Sequence, residues 1–298
     1  MSTILAINLN PTFQQSFFYK SFQKDDVNRA YAHNEQIAGK GFNLVRILSL
    51  LGDKPVYLSH LGRDRFSEVQ SECSKLGIEM AYALSDGPMR TCVTALESDS
   101  GSTTEFTCEA APISSPDVEN KIRTLFEQQI VRPEIEWMII AGTQAPGYSP
   151  SLFPDMVARA SELGKKTVLD ICGANLLGCL PFHPTIVKPN RKEFEKTFGI
   201  TGASDSEFES MVRSKASQYA ATMVITCGSR GAFASNGDFG TWYPVAQYVK
   251  NPVNATGCGD VFTAGLTHTL ASGGSLSEAI MFGSECAARR VVRMDVGL

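Results

Sequence analysis

The sequence has little charge and no marked excess of either sign. Asp, Glu, Lys and Arg make up 19% of its 298 residues, and 27 Lys and Arg against 31 Asp and Glu leave a net charge of −4. A surface that grips nucleic acid by counterion release needs clustered Lys and Arg, and this chain has no basic run longer than a few residues, so a nucleic-acid scaffold is excluded. Long apolar runs are missing too. No stretch approaches the roughly 18 residues of a membrane helix. Met1 to Asn8 lacks a basic lead-in to its short apolar run and reads as a first strand, not a signal peptide. The eight cysteines, at 73, 92, 108, 172, 179, 227, 258 and 286, form no C-x-x-C pair and have no histidine at metal-ligand spacing. They read as reduced thiols, and the expected location is the cytoplasm. There is no internal repeat, low-complexity tract or linker.

What the chain does have is a core. Hydrophobic residues make up 43%, and a chain of this length buries roughly 75% of its unfolded surface. From about residue 114 onward, apolar strand-like runs alternate with helical periodicity. Ser115-Pro116 and Ser149-Pro150 each open a helix with Pro at the first helical position, where the missing N–H has no partner to lose. Trp137 to Ala141, Thr167 to Ile171, Thr185 to Val187 and Met223 to Thr226 read as buried parallel strands. This βαβα rhythm predicts an α/β fold, a doubly wound and mostly parallel sheet flanked by helices, with ligands gathering at the strand ends.

The N-terminal third departs from that rhythm twice. Phe13 to Phe22 with Val27 to Ile37, and Arg90 to Leu96 with Thr103 to Thr107, read as hairpins set outside the main sheet. Between them a helix over Asn43 to Leu51, a strand over Val56 to Leu61 and a helix over Arg65 to Leu76 resume the pattern, with Gly52 and Gly77 as stops. The expectation is one domain over 1–298, carrying a small β-sheet lid made of hairpins at about 12–37 and 88–108.

Two segments carry chemistry. Asn254-Ala-Thr-Gly-Cys-Gly-Asp260 runs into a helical pattern. Glycines before a helix leave backbone N–H groups pointing outward at its positive end, which makes an anion site. An acid beside a bound phosphate is repelled unless it has work to do. Asp260 therefore either accepts a proton from an attacking hydroxyl or merely caps the helix. Asn254 to Thr256 also matches a glycosylation sequon, set aside for a chain read as cytosolic. The second segment, Ala38-Gly-Lys-Gly-Phe-Asn43, allows close backbone approach and offers a cation, Lys40, and an amide, Asn43. It is neither a Walker A loop nor a dinucleotide fingerprint, since the remaining residues of both are missing.

In this order and separation the two segments identify a resemblance over essentially the whole chain. With Asn8-Leu-Asn-Pro11, Val27-Asn-Arg29, Arg90, Ala141 to Gly147, Val168-Leu-Asp170, Val187-Lys-Pro-Asn190, Glu193 and Cys227-Gly-Ser-Arg-Gly231, the sequence resembles the ribokinase-like (PfkB) sugar kinases. Within them it is similar to the branch of 1-phosphofructokinase and tagatose-6-phosphate kinase. The resemblance implies ATP-dependent phosphoryl transfer to a hydroxyl of a sugar phosphate under the lid, with Asp260 as base and the Gly257, Cys258 and Gly259 amides as the anion hole. It places Gln14, Gly39, Lys40, Asn43 and Arg90 on the sugar side and Lys188, Asn190, Thr226, Gly228 and Gly231 on the ATP side. Asn190 and Glu193 would act on Mg2+ through water and phosphate, and the same pair also has the spacing of a helix capping box. Arg90 matters for substrate class, since a guanidinium fork matches a phosphate and a neutral sugar gives it nothing to pair with.

The sequence departs from the family on the sugar side: Gln14 stands where the family has an Asp, Ala38 replaces a glycine, and Cys108-Glu-Ala-Ala111 replaces Asn-Glu-x-Gly. An amide offers one acceptor oxygen where a carboxylate offers two, so a different hydroxyl pattern is expected. Asn254, in place of the broader family's Asp, fits the phosphosugar branch. The competing readings are a kinase for a neutral sugar or nucleoside, and a regulatory protein that binds sugar and ATP without turnover. The aromatics Phe13, Phe17, Phe18, Tyr19 and Phe22 exceed what one buried face of a small sheet needs, which predicts a homodimer through the lid.

Overall fold

The computed structural model describes residues 1–113, 115–250 and 252–293; Ser114, Asn251 and 294–298, which the single-domain expectation includes, lie outside the described residues. The chain begins with β1 (Thr3–Asn8), makes the hairpin β2 (Thr12–Tyr19) and β3 (Ala32–Ala38), and enters α1 (Lys40–Leu50). Then follow β4 (Lys54–Gly62), α2 (Phe66–Leu76), β5 (Glu79–Ser85) and a second hairpin, β6 (Arg90–Glu97) with β7 (Thr103–Thr107). Alternation resumes with α3 (Pro116–Ile130), β8 (Ile135–Ala141), α4 (Leu152–Glu162), β9 (Lys166–Asp170), α5 (Gly173–Cys179), β10 (Ile186–Val187), α6 (Arg191–Phe198), α7 (Asp205–Tyr219) and β11 (Thr222–Thr226). The strands β12 (Ala232–Ser235) and β13 (Gly240–Tyr243) and the helices α8 (Cys258–Ala271) and α9 (Leu276–Val291) complete it.

The main sheet runs β13-β12-β11-β10-β9-β8-β1-β4-β5. It is parallel from β11 through β5, and β12 and β13 are antiparallel at one edge. Its strands read as unbroken apolar runs because both faces are covered. In β1, Leu5 and Ile7 enter one core layer while Ile4 and Ala6 enter the other. The order of pairing reverses around β1, so the residues that follow β1, β9, β10 and β11 converge at one end of the sheet.

The expected lid is present as a second sheet, β3-β2-β6-β7. Each hairpin is antiparallel internally, and a parallel pairing of β2 with β6 joins the two, Thr12 opposite Arg90 and Tyr19 opposite Glu97. Strand β3 starts at Ala32, later than the pattern suggests, because Asn28 closes the preceding loop by bonding both the N–H and the carbonyl of Gln23 at 2.7 Å. Similarly, α4 begins at Leu152, two residues past Pro150, after a turn in which Leu152 N–H meets the Ser149 carbonyl at 3.1 Å. Pro116 does stand first in α3, with Ser115 as its cap. Among the described residues no helix is long and apolar enough to cross a membrane.

Candidate active site

The site is built where α8 starts. Gly257 caps that helix with φ 81°, a left-handed conformation that an L side chain resists. The turn is shaped further by Asn254, whose Oδ1 accepts from Thr256 N–H at 2.9 Å. Of the three amides expected to form the anion hole, Cys258 N–H is turned onto the Ala255 carbonyl at 3.2 Å. Among the described residues the amides of Gly257 and Gly259 donate to no protein acceptor, so they are the groups left for an anion. The Cys258 thiol is pushed up to about 11 by burial, which leaves it a neutral packing group.

Asp260, in the first turn of α8, is 6% exposed and accepts from Asn43 Nδ2 at 2.7 Å. Its pKa rises from the ordinary 3.8 to about 7. Burial is the main cause, the negative charge of Asp170 adds to it, and Lys40, the Asn43 hydrogen bond and Lys188 oppose it. Asn43 is delivered by α1, which lies against the end of β1. At Gly41 a Cβ would collide with the Asn8 side chain, so only glycine lets the helix come this close.

Beneath Asp260 lies a group of charges. Asp170, at the end of β9, is 1% exposed, and its Oδ1 meets Lys40 Nζ at 3.0 Å while its Oδ2 meets Lys188 Nζ at 3.1 Å and Thr263 Oγ1 at 2.6 Å. Burial alone would raise its pKa, but the Lys188 and Lys40 ammoniums and the Thr263 hydroxyl outweigh it and hold the carboxyl at about 2. Lys40 also reaches Glu193 Oε1 at 2.9 Å. Burial works to lower the pKa of Lys40, yet Asp170, Glu193 and Asp260 drive it up, so its ammonium stays charged. Lys40, expected on the sugar side, therefore bridges β9 and α6 in this structure. Lys188, expected beside the nucleotide, is 2% exposed and sits under the glycine turn, its Nζ 3.9 Å from where a Cβ on Gly259 would be.

Asn190 and Glu193 form a full capping box on α6, Glu193 N–H to Asn190 Oδ1 and Asn190 N–H to Glu193 Oε2, both 2.9 Å. Thr226 joins Asn190 by a parallel bridge, and Gly228 opens the turn beyond it with φ 59°. Arg230 in that turn is held to Asp205 at 2.8 Å and lies over Trp242. Gly231 faces the Tyr243 carbonyl, which a Cβ there would strike, so it lets the chain pass β13. No group of three or more His, Cys, Asp or Glu able to hold a metal occurs among the described residues. Both Glu193 oxygens are already engaged, Oε1 by Lys40 and Oε2 by the Asn190 N–H, so a divalent cation arriving on nucleotide phosphates would meet this carboxylate through water it keeps.

A pocket of about 340 Å³ opens between this end of the main sheet and the lid. Gln14, Gly39, Lys40, Asn43, Arg90 and Asp260 all line it. Gln14 donates to Thr94 Oγ1 at 2.7 Å. Arg90 makes no ion pair among the described residues: its Nη2 donates to the Asn10 carbonyl at 3.3 Å, and its buried Nε has no partner. The Oδ1 atoms of Asn10 and Asn43 are buried without partners as well, so the pocket wall is stocked with polar atoms awaiting a ligand. Sequence reasoning gave no role to Asp170, Thr263 or Glu105. For Asp170 the available signal was an acid at the carboxyl end of a parallel strand.

The sequence profile described as "pfkB family carbohydrate kinase" matches residues 12–297. Among solved structures, a possible 1-phosphofructokinase from Thermotoga maritima superposes with a TM-score of 0.88 at 19% identity, covering 99% of this chain and 94% of that one. The tetrameric inhibited form of phosphofructokinase-2 from Escherichia coli gives 0.85 at 20% identity, covering 98% and 95%. A ribokinase from Thermotoga maritima gives 0.74 at 17% identity, covering 99% and 93%. These likenesses show the shared fold: a mostly parallel sheet between helices, with a small second sheet.

Proposed function

The chain belongs to the pfkB family of carbohydrate kinases and is a phosphotransferase, and on that premise we propose that it moves the γ-phosphoryl of ATP to a hydroxyl of a sugar phosphate, with Asp260 as base. The observation that carries this reading is the pairing of a buried carboxylate, poised near neutrality, with two undirected amides at a helix N-terminus. As the acceptor oxygen attacks γ-phosphorus, its proton passes to an Asp260 oxygen, and the bond from γ-phosphorus to the bridging oxygen of ADP breaks. The amides of Gly257 and Gly259 and the positive end of α8 face the charge on the transferred group. Mg2+, brought by the nucleotide, would neutralise phosphate charge, with Glu193 and Asn190 reaching it through water. Asn43 fixes the rotamer of Asp260, and Asp170 holds Lys40 and Lys188 in place below it.

Arg90 supplies the phosphate end of the pocket. Its orphaned Nε with an adjacent Nη offers the two parallel donors that a phosphate accepts. Arg90→Ala is expected to raise KM for the sugar phosphate by roughly 10–100-fold, the weight of a lost charged hydrogen-bonded pair, in an ADP-release assay against fructose 1-phosphate, fructose 6-phosphate and tagatose 6-phosphate. A KM unchanged for those and lowest for a neutral sugar or nucleoside would shift the assignment to that class.

The assembly proposed is a homodimer through the outer face of the lid. Two of the five aromatics are accounted for internally: Phe13 is buried beneath the Arg65 guanidinium at 3.7 Å, and Phe18 is buried near Tyr31. Of the rest, Phe17, which shares the outer face of β2 with Phe13, stacks on His33 at 4.5 Å, Phe22 lies between Tyr19 and Phe106, and Tyr31 and Phe106 remain 55% and 49% exposed. Sedimentation velocity at micromolar concentration is expected to give a dimer that Phe106→Asp dissociates. A monomeric wild type would refute it.

A further inference from the structure

We propose that Glu105 is a specificity-determining residue that holds hydroxyls of the acceptor sugar and fixes which end of the pocket the phosphate enters; this rests on the sugar-phosphate reading above. The face of the lid turned to the pocket is polar along its length: Gln14, Ser16, Gln36, Thr94 and Thr107 line it together with Glu105. Of the two carboxylates in the lining, Asp260 is bound by Asn43 and belongs to proton transfer. Glu105 is exposed, and among the described residues no cation lies within ion-pair distance of it. Its recorded contact is a long one, Oε1 accepting from Thr256 Oγ1 at 3.4 Å, which brings the carboxylate across to the turn that bears the anion hole.

Register fixes where this charge stands. Glu105 pairs with Thr94, and Arg90 lies four residues back along the same strand, β6, about 13 Å away at the rise of an extended chain. The pocket thus has the Arg90 guanidinium at one end and the exposed Glu105 carboxylate at the other; Arg290 also lines the wall near the Asn254 turn, but it is 1% exposed and its Nη1 donates to the Asn254 and Arg293 carbonyls. An ionised carboxylate only accepts, and its two oxygens suit two neighbouring hydroxyls. It also repels a phosphate, so the acceptor lies with its phosphate toward Arg90 and its hydroxyls toward Glu105 and the turn before Asp260, where the attacking oxygen must be. Specificity of this kind combines an attraction with a built-in repulsion.

The test is calorimetric titration of the full chain with fructose 6-phosphate, in wild type, Glu105→Gln, Glu105→Ala and Thr256→Val. Both Glu105 variants are expected to weaken binding about tenfold or more, in line with hydrogen bonds to a charged group, and to raise KM by the same factor, while the Kd of a non-hydrolysable ATP analogue moves by less than about twofold. Among fructose 6-phosphate analogues with single hydroxyls replaced by hydrogen, at least one is expected to lose affinity in wild type but not in Glu105→Gln, the coupling that a direct contact produces. Equal binding of fructose 6-phosphate by wild type and both Glu105 variants would overturn the assignment alone. So would a Thr256→Val loss as large as that of Glu105→Gln, since the carboxylate would then act only as a latch on the turn. A wild type that binds none of fructose 1-phosphate, fructose 6-phosphate and tagatose 6-phosphate better than inorganic phosphate would bring down the sugar-phosphate reading and this inference with it.

Discussion

Asp260→Asn is expected to lower kcat by two to four orders of magnitude, the range over which a positioned general base acts, and to make the protein more stable at the same time. The two effects have one origin. With a pKa near 7 in the fold and 3.8 as its ordinary value, Asp260 holds a proton in the folded protein between those limits that the unfolded chain has already released. Stability therefore falls as pH rises from about 3.8 to 7, and the full cost of a buried anion is present above 7. Asn keeps the shape and can still accept from Asn43, but it has nothing to ionise. Its melting temperature is expected to exceed that of wild type by a few degrees at pH 8, with the difference vanishing below pH 4. In wild type, kcat/KM is expected to fall tenfold per pH unit below about 7, because the base must be unprotonated. A variant with near-normal turnover, or a flat acid limb in wild type, would remove Asp260 from the chemistry.

The largest loss of stability is expected from Asp170→Asn. Its folded pKa lies below the ordinary value, so the sign is opposite: this carboxylate contributes stability above its unfolded pKa, lost as pH falls toward 2. Replacing it takes from Lys188, 2% exposed, its ion-pair partner, while Lys40 keeps its ion pair with Glu193 and the charge of Asp260 remains near both ammoniums. Breaking a buried pair this way costs about 3–5 kcal/mol, which urea denaturation reads as a lower midpoint at unchanged slope. The same substitution removes a negative neighbour of Asp260, so the acid limb of the activity profile is expected to move below 7 in whatever enzyme remains folded. An unchanged urea midpoint would mean that water or another group already compensates Lys188.

What the sequence discloses follows from the range of the interaction involved. The buried runs Trp137 to Ala141 and Met223 to Thr226 and the glycine stop at Gly77 are local signals, and each appears where expected. The same holds for α8, whose glycines precede the apolar spacing that makes it a helix. The two lid hairpins were legible as breaks in a rhythm. Charges were harder to place. Lys40 reaches partners 130 and 153 residues away, and no periodicity or spacing marks such a pair, so its engagement with Asp170 and Glu193 appears only in three dimensions. Glu105 was hidden for a related reason. On a short strand of exposed residues it resembles ordinary surface, and only the pairing with β6 turns it toward the pocket.

The parallel join between the two lid hairpins has a consequence for how the molecule assembles. Thr12 and Arg90 are 78 residues apart, and neither hairpin buries enough surface to stand by itself in water. Their pairing spans that separation, so the roof of the pocket is made of high-contact-order strand contacts, which are intrinsically slow to form. Joined to the rest by few strands of its own, it can open without disturbing the main sheet. A fraction of molecules at equilibrium would keep the main sheet intact while the small sheet is undone, and any ligand that binds only the closed form would draw that fraction back by mass action.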